Sequence, residues 1–78
     1  MTVYSIDLWV DARSLGHDSA VKWTFDAVRG LASGQVAEVM VTDVVAAADI
    51  LAWPESKPVE VLDSAVSRGA CRLILRHR

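Results

Sequence analysis

Residues 3–12, VYSIDLWVDA, alternate their side chains with period two, and directly afterwards the apolar spacing changes to three and four residues. A chain that switches period in this way must pass from strand to helix, since each backbone puts a different set of neighbours on one face. In the first run Tyr4, Ile6, Leu8, Val10 and Ala12 share one side. Val3, Ser5, Asp7, Trp9 and Asp11 share the other, which predicts a half-buried strand over 3–12. RSLGHD (13–18) follows as a turn. Val21, Phe25, Val28, Leu31 and Ala32 then define the buried stripe of a helix predicted from Ser19 to Ser33. Asp18 or Ser19 is the expected N-cap, and Gly34 the left-handed residue that ends the helix.

The period returns to two in QVAEVMVT (35–42), a second strand with Ala37, Val39 and Val41 facing inward. Asp43 is placed to cap a short helix over 44–52, and Pro54 stops it. That helix, VVAAADILA, is apolar almost all round, with Asp49 its single charge. PVEVLDSAV (58–66) and ACRLILRHR (70–78) flank SRG, which predicts a hairpin with a three-residue turn. The order β-α-β-α-β-β makes an α/β two-layer sandwich, a four-stranded mixed sheet with both helices on one face. The opposite, open face should then carry Asp7, Trp9, Asp11, Glu38, Met40, Arg72, Ile74 and Arg76.

Composition narrows the class. With 78 residues there is room for one domain, 1–78, and one core. At 53% apolar and 23% charged the chain should fold rather than stay disordered. No apolar run approaches the ~20 residues that span a bilayer, so no membrane role is expected. The N-terminus lacks a basic start leading into an apolar stretch, which points to a cytoplasmic protein. A single cysteine, Cys71, excludes an internal disulfide framework and a multi-cysteine zinc site. The net charge of −2 is uneven: residues 1–67 carry four basic and all ten acidic side chains, while the last eleven carry Arg68, Arg72, Arg76 and Arg78 with no acid. Such a terminus reads either as an edge strand whose arginines pair with neighbouring acids or as a contact for phosphate. Four arginines are few for a nucleic-acid footprint, so the first reading is preferred.

The run VDARSLGHDSAVKWTF resembles the start of the TusA-like, or SirA-like, sulfur-carrier family. Members open with a strand ending Asp-Ala, followed by Gly-Leu and by Cys-Pro-X-Pro at the start of the first helix. Here Asp11-Ala12 stands at the strand end and Ser14-Leu15 at the Gly-Leu place. The resemblance runs on through Gly34, VMVTD (39–43), Asp49-Ile50, Trp53 and the terminal CRLILRHR. It implies the same β-α-β-α-β-β fold and a place in sulfur relay. In the family, the cysteine receives a persulfide sulfur from a cysteine desulfurase and passes it on, helped by a helix N-terminus that favours a thiolate. In this chain His17 occupies the cysteine position, and Asp18, Ser19 and Ala20 replace Pro-X-Pro. Imidazole cannot form a persulfide, so the resemblance implies sulfurtransferase ancestry without the family's chemistry.

The leading expectation is therefore a non-catalytic binding or regulatory module linked to sulfur transfer, with no cofactor and no metal. Its partner would be a protein such as a sulfur-relay component. An active sulfurtransferase using Cys71 is the alternative from the enzyme class, although Cys71 shares a side with Leu73 and Leu75 and reads as core filler. RNA binding on the open face is the third reading, since the architecture also resembles the C-terminal domain of translation initiation factor three; the acidic balance opposes it. The candidate binding residues are His17, Asp18, Ser19, Trp9, Arg72 and Arg76. His17 and Asp18 are too few for a zinc site, and an anion at the helix N-terminus would meet the charge of Asp18. Trp9, Met40 and Ile74 are expected to form an apolar patch on the open face suited to a homodimer. Trp53 is expected to pack inside and Trp23 to be half-buried.

Overall fold

The computed structural model describes residues 3–78 and has the expected order: β1 (Leu8–Ala12), α1 (His17–Val28), β2 (Val36–Val41), α2 (Val44–Leu51), β3 (Val59–Ser67) and β4 (Ala70–His77). A 3-10 turn, Trp53–Glu55, follows α2 and contains Pro54. The four strands form one mixed sheet in the order β1-β2-β4-β3. β1 and β2 run parallel, while β4 is antiparallel to both β2 and β3. Both helices lie on one face, α1 against β1 and β2, and α2 against β2 and β4.

The core is the set of inward strand positions. Ala37, Val39 and Val41 of β2 and Leu73 and Leu75 of β4 are at most 1% exposed, as alternation requires of central strands covered by helices. Asp43 accepts hydrogen bonds from the Val45 and Ala46 amides, so α2 starts where its cap residue stands.

Four local expectations are corrected. The first strand is shorter than the alternation suggested. Asp7 takes the Val36 amide with its own carboxylate at 2.9 Å, a donor that a continuing strand would have met with a carbonyl, and the chain leaves the sheet there. Residues 3–6 then cross the open face, and the Tyr4 hydroxyl donates to the Leu62 carbonyl of β3 at 3.3 Å. Tyr4 and Ile6 thus line a hollow of about 540 Å³ with Glu38, Arg72 and Ile74, on the face opposite to the one expected.

Second, α1 starts two residues early and ends at Val28, with Gly30 in the turn that follows. Gly16 is the N-cap, and neither Asp18 nor Ser19 caps the helix. Gly34 has the expected left-handed φ of 87°, but in the turn into β2, where its amide donates to the His77 carbonyl at 2.7 Å. The buried stripe of α1 is Ala20, Thr24 and Val28, one turn-spaced row of small side chains where the helix meets the sheet. Phe25 is rotated to the rim and is only half-buried, Ala32 is exposed, and Trp23 is 59% exposed rather than half-buried.

Third, the hairpin turn has two residues. Ser67 pairs with Ala70, and Arg68 and Gly69 both hold positive φ, 53° and 78°, a turn of type I′ whose twist matches the strands. Fourth, β4 is a central strand and not an edge. Its arginines meet acids on both neighbours: Arg72 approaches Glu38 of β2 and Asp63 of β3 at 3.7 and 3.9 Å, and Arg76 binds Glu60 of β3 at 2.9 Å. Two of the four C-terminal arginines are thereby matched across the sheet.

Candidate functional site

The turn between β1 and α1 is held from three sides. Arg13 folds back onto Asp11, donating from Nε and Nη2 at 2.9 Å to the two carboxylate oxygens. These bonds, with the Arg13 amide, pull the Asp11 carboxyl down to about 2 from the ordinary 3.8. The Ser14 amide donates to the Thr42 hydroxyl at 3.0 Å, tying the turn to the end of β2. Ser14 itself has φ of 71°, a left-handed conformation that glycine adopts more readily. Leu15 is half-buried against the core, and Gly16 then admits the chain to α1 with His17 as its first residue.

His17 is gripped by two carboxylates. Its Nε2 bonds to Asp49 of α2, and its Nδ1 lies 3.0 Å from Asp18. With an acceptor at each ring nitrogen the favoured species is imidazolium, which donates from both. The hydrogen bond to Asp49 is the main influence raising the histidine's pKa above 6.5; desolvation opposes it, and the charges of Asp49, Asp18 and Asp43 support it. A cation beside a helix N-terminus is unfavourable by itself, so the neighbouring acids are what make this position tolerable.

Beside this cluster lies a shallow hollow of about 380 Å³ between α1 and the end of α2. Val21 and Phe25 of α1 and Trp53 of the 3-10 turn supply its apolar wall. Phe25 meets Trp53 edge to face, ring centroids 5.6 Å apart at 78°. Lys57 sets its ammonium 5.2 Å from the Phe25 centroid, within cation–π range, and Lys22 lies at the other rim. The arrangement offers an aromatic wall with cations and carboxylates at its border. Its imidazole is not free to act as a nucleophile, since both ring nitrogens are engaged. Among the described residues no group of three or more His, Cys, Asp or Glu side chains is arranged to hold a metal ion.

The sequence-derived candidates separate into distinct places. His17 and Asp18 come together at the hollow, and Ser19, exposed on the first turn of α1, does not line it. Trp9 is 66% exposed on the open face. Arg72 and Arg76 lie on that face too, each engaged with acids. The apolar patch expected from Trp9, Met40 and Ile74 does not form, because Ile74 is 3% exposed beneath the crossing N-terminal segment. Cys71 is buried on the helix-facing side of β4.

Sequence reasoning missed Asp49, Phe25, Trp53 and Lys57 as neighbours of His17. The sequence cue for Asp49 is that it is the single charge of an otherwise apolar helix. The aromatic pair carried no such signal, because each side chain is explained locally as packing.

The fold and hollow define a small open-faced α/β sandwich with a charged cluster at the first helix start. No family model matches the chain, and no curated protein matches it. No described helix is long and apolar enough to cross a membrane.

Proposed function

We propose that this chain is a TusA-like domain that has lost the sulfur-carrying group and serves as a binding or regulatory module in sulfur transfer. The observation that carries the reading is the placement of His17. The residue at the family's cysteine position is the first of α1, at the border of an accessible hollow, and it is a clamped imidazolium instead of a thiol. Ser14 adds support, since its left-handed φ of 71° falls where the family carries glycine. A relay protein shaped to receive a carrier's helix start would meet the hollow at His17, Phe25 and Lys57 without exchanging sulfur. Cys71, a buried residue at the hollow that α2 and β3 border, is poorly placed to replace the missing thiol. The pairing of Arg72 and Arg76 with acids weakens the case for RNA on the open face.

Incubation with a cysteine desulfurase and cysteine, read by intact mass, tests the proposal. The native chain should gain no sulfur. The double variant His17→Cys with Asp18→Pro should gain one sulfur atom, because it restores a thiol at the helix start and removes the opposing carboxylate. Proline is tolerated in a first helical turn, where amides lack helical partners. Persulfide on native Cys71 would overturn the reading in favour of an active carrier. A folded double variant that never accepts sulfur would count against the proposed correspondence of His17.

A further inference from the structure

We infer that two copies of this chain pair through the outer edge of β3, forming a two-fold dimer with a continuous eight-stranded sheet. β3 is a terminal strand of the sheet, and among the described residues nothing pairs with its outer side. Its second half, Asp63–Ser67, is exposed throughout. Ser64–Ser67 has no charge and no proline to protect the edge from pairing, and the bulge of β3, between Val61 and Asp63, precedes this stretch. Val66 is 78% exposed on this stretch.

Charge selects the occupant and its direction. The neutral stretch is bounded by Asp63 before it and Arg68 after it. Antiparallel pairing of two identical edges brings Asp63 of each copy, which also lies 3.9 Å from its own Arg72, beside Arg68 of the other, twice by symmetry. Parallel pairing would set acid against acid and arginine against arginine. The order of charges is therefore complementary to itself in the antiparallel sense, the sense a two-fold axis produces.

The helix layer agrees with that geometry. A two-fold relating antiparallel edge strands stands perpendicular to the sheet, so both helix layers stay on the same side. Residues directly opposite one another must then share a face, which fits a register centred on Ala65 with Val66 opposite Ser64 of the second copy. Val66 is paired with Cys71, and Ser64 with Leu73, on the helix-facing side. There α2 and β3 border a hollow of about 190 Å³ that Leu51, Val66 and Leu73 line. Val44, Ala48 and Leu51 form an exposed, uncharged row along α2, spaced four and three residues apart. In the dimer the two rows flank the junction above the joined strands. The face thus covers apolar surface that the monomer leaves in water.

Sedimentation of the full chain over a range of concentrations tests this. A monomer–dimer equilibrium is expected. Val66→Lys should raise the dissociation constant by roughly tenfold or more, with circular dichroism as in the native chain and the same thermal unfolding at concentrations where both are monomeric, because a charged side chain would face the junction. Asp63→Arg and Arg68→Asp should each weaken self-association by gathering like charges at the junction. An equimolar mixture of those two variants should recover dimer, since each then supplies the charge the other lacks. A chain that stays monomeric at every concentration overturns the proposal. So does a dimer indifferent to Val66→Lys, a mixture that recovers nothing, or an assembly that grows beyond two copies.

Discussion

The two helices cover the same face of the sheet yet begin by different means. α2 has a local device: Asp43 stands one residue before it and accepts from the Val45 and Ala46 amides. α1 has none, since its N-cap is Gly16 and its nearest acid, Asp18, is turned toward the His17 ring. What holds the start of α1 comes instead from elsewhere in the chain, the Asp49 carboxylate of α2 bonded to His17. Helix starts in a small domain are ordinarily finished by their own side chains. One left uncapped, with its first side chain committed to a neighbouring helix, is the part of the structure where local stability has been least attended to. That is also where the hollow lies.

The largest effect is expected inside α2. Ile50 is fully buried and anchors that helix to the sheet, so Ile50→Ala should remove about 2–5 kcal/mol in denaturant unfolding. A loss well below that range would show that α2 is held by its cap and not by its packing. Asp43→Ala should cost about 1 kcal/mol, whereas Asp18→Ala should cost a few tenths at most, because only Asp43 caps a helix. Equal effects would erase the distinction between the two starts.

Thr24 is the counterpart of Ile50 on α1, equally buried, but its hydroxyl has no hydrogen-bond partner. Thr24→Val keeps the shape and removes the orphaned group, so it should raise stability by roughly 0.5–1 kcal/mol. A loss on this change would mean that the hydroxyl is satisfied in solution. Ser14→Gly should relieve the left-handed backbone before α1 and add roughly 0.5 kcal/mol, part of the relief being offset by the freer unfolded chain.

The smallest effect concerns His17 and pH. Its folded pKa lies above 6.5, so its contribution to stability is complete below the unfolded value and fades as pH rises through the folded one. The stability difference between the native chain and His17→Gln should thus be greater near about pH 5.5 than near about pH 8.5. With the ring 41% exposed and flanked by exposed acids, solvent keeps that difference modest. A difference that grows toward high pH would contradict the imidazolium clamp.

The element order, the inward sets of β2 and β4 and the cap of α2 follow from the local sequence. Each of those depends on neighbours a few residues apart, and the period of the side chains or a single capping carboxylate carries the information. Where β1 stops, which row of α1 is buried and which strand lies at the sheet edge depend on contacts between distant parts of the chain. Tyr4 and Ile6 continue the alternation of β1, yet Asp7 takes the Val36 amide and turns the chain across the other face. Phe25 fits the stripe by spacing, yet the close approach of α1 to the sheet favours Ala20 and the slender Thr24, and Phe25 finds Trp53 at the rim. β4 comes last in the sequence but lies inside the sheet, because pairing follows where the chain returns in space and not the order of the strands along it. The contact between His17 and Asp49 spans 32 residues and belongs to the same class. No local pattern records it, because it exists only after both helices have docked on the sheet.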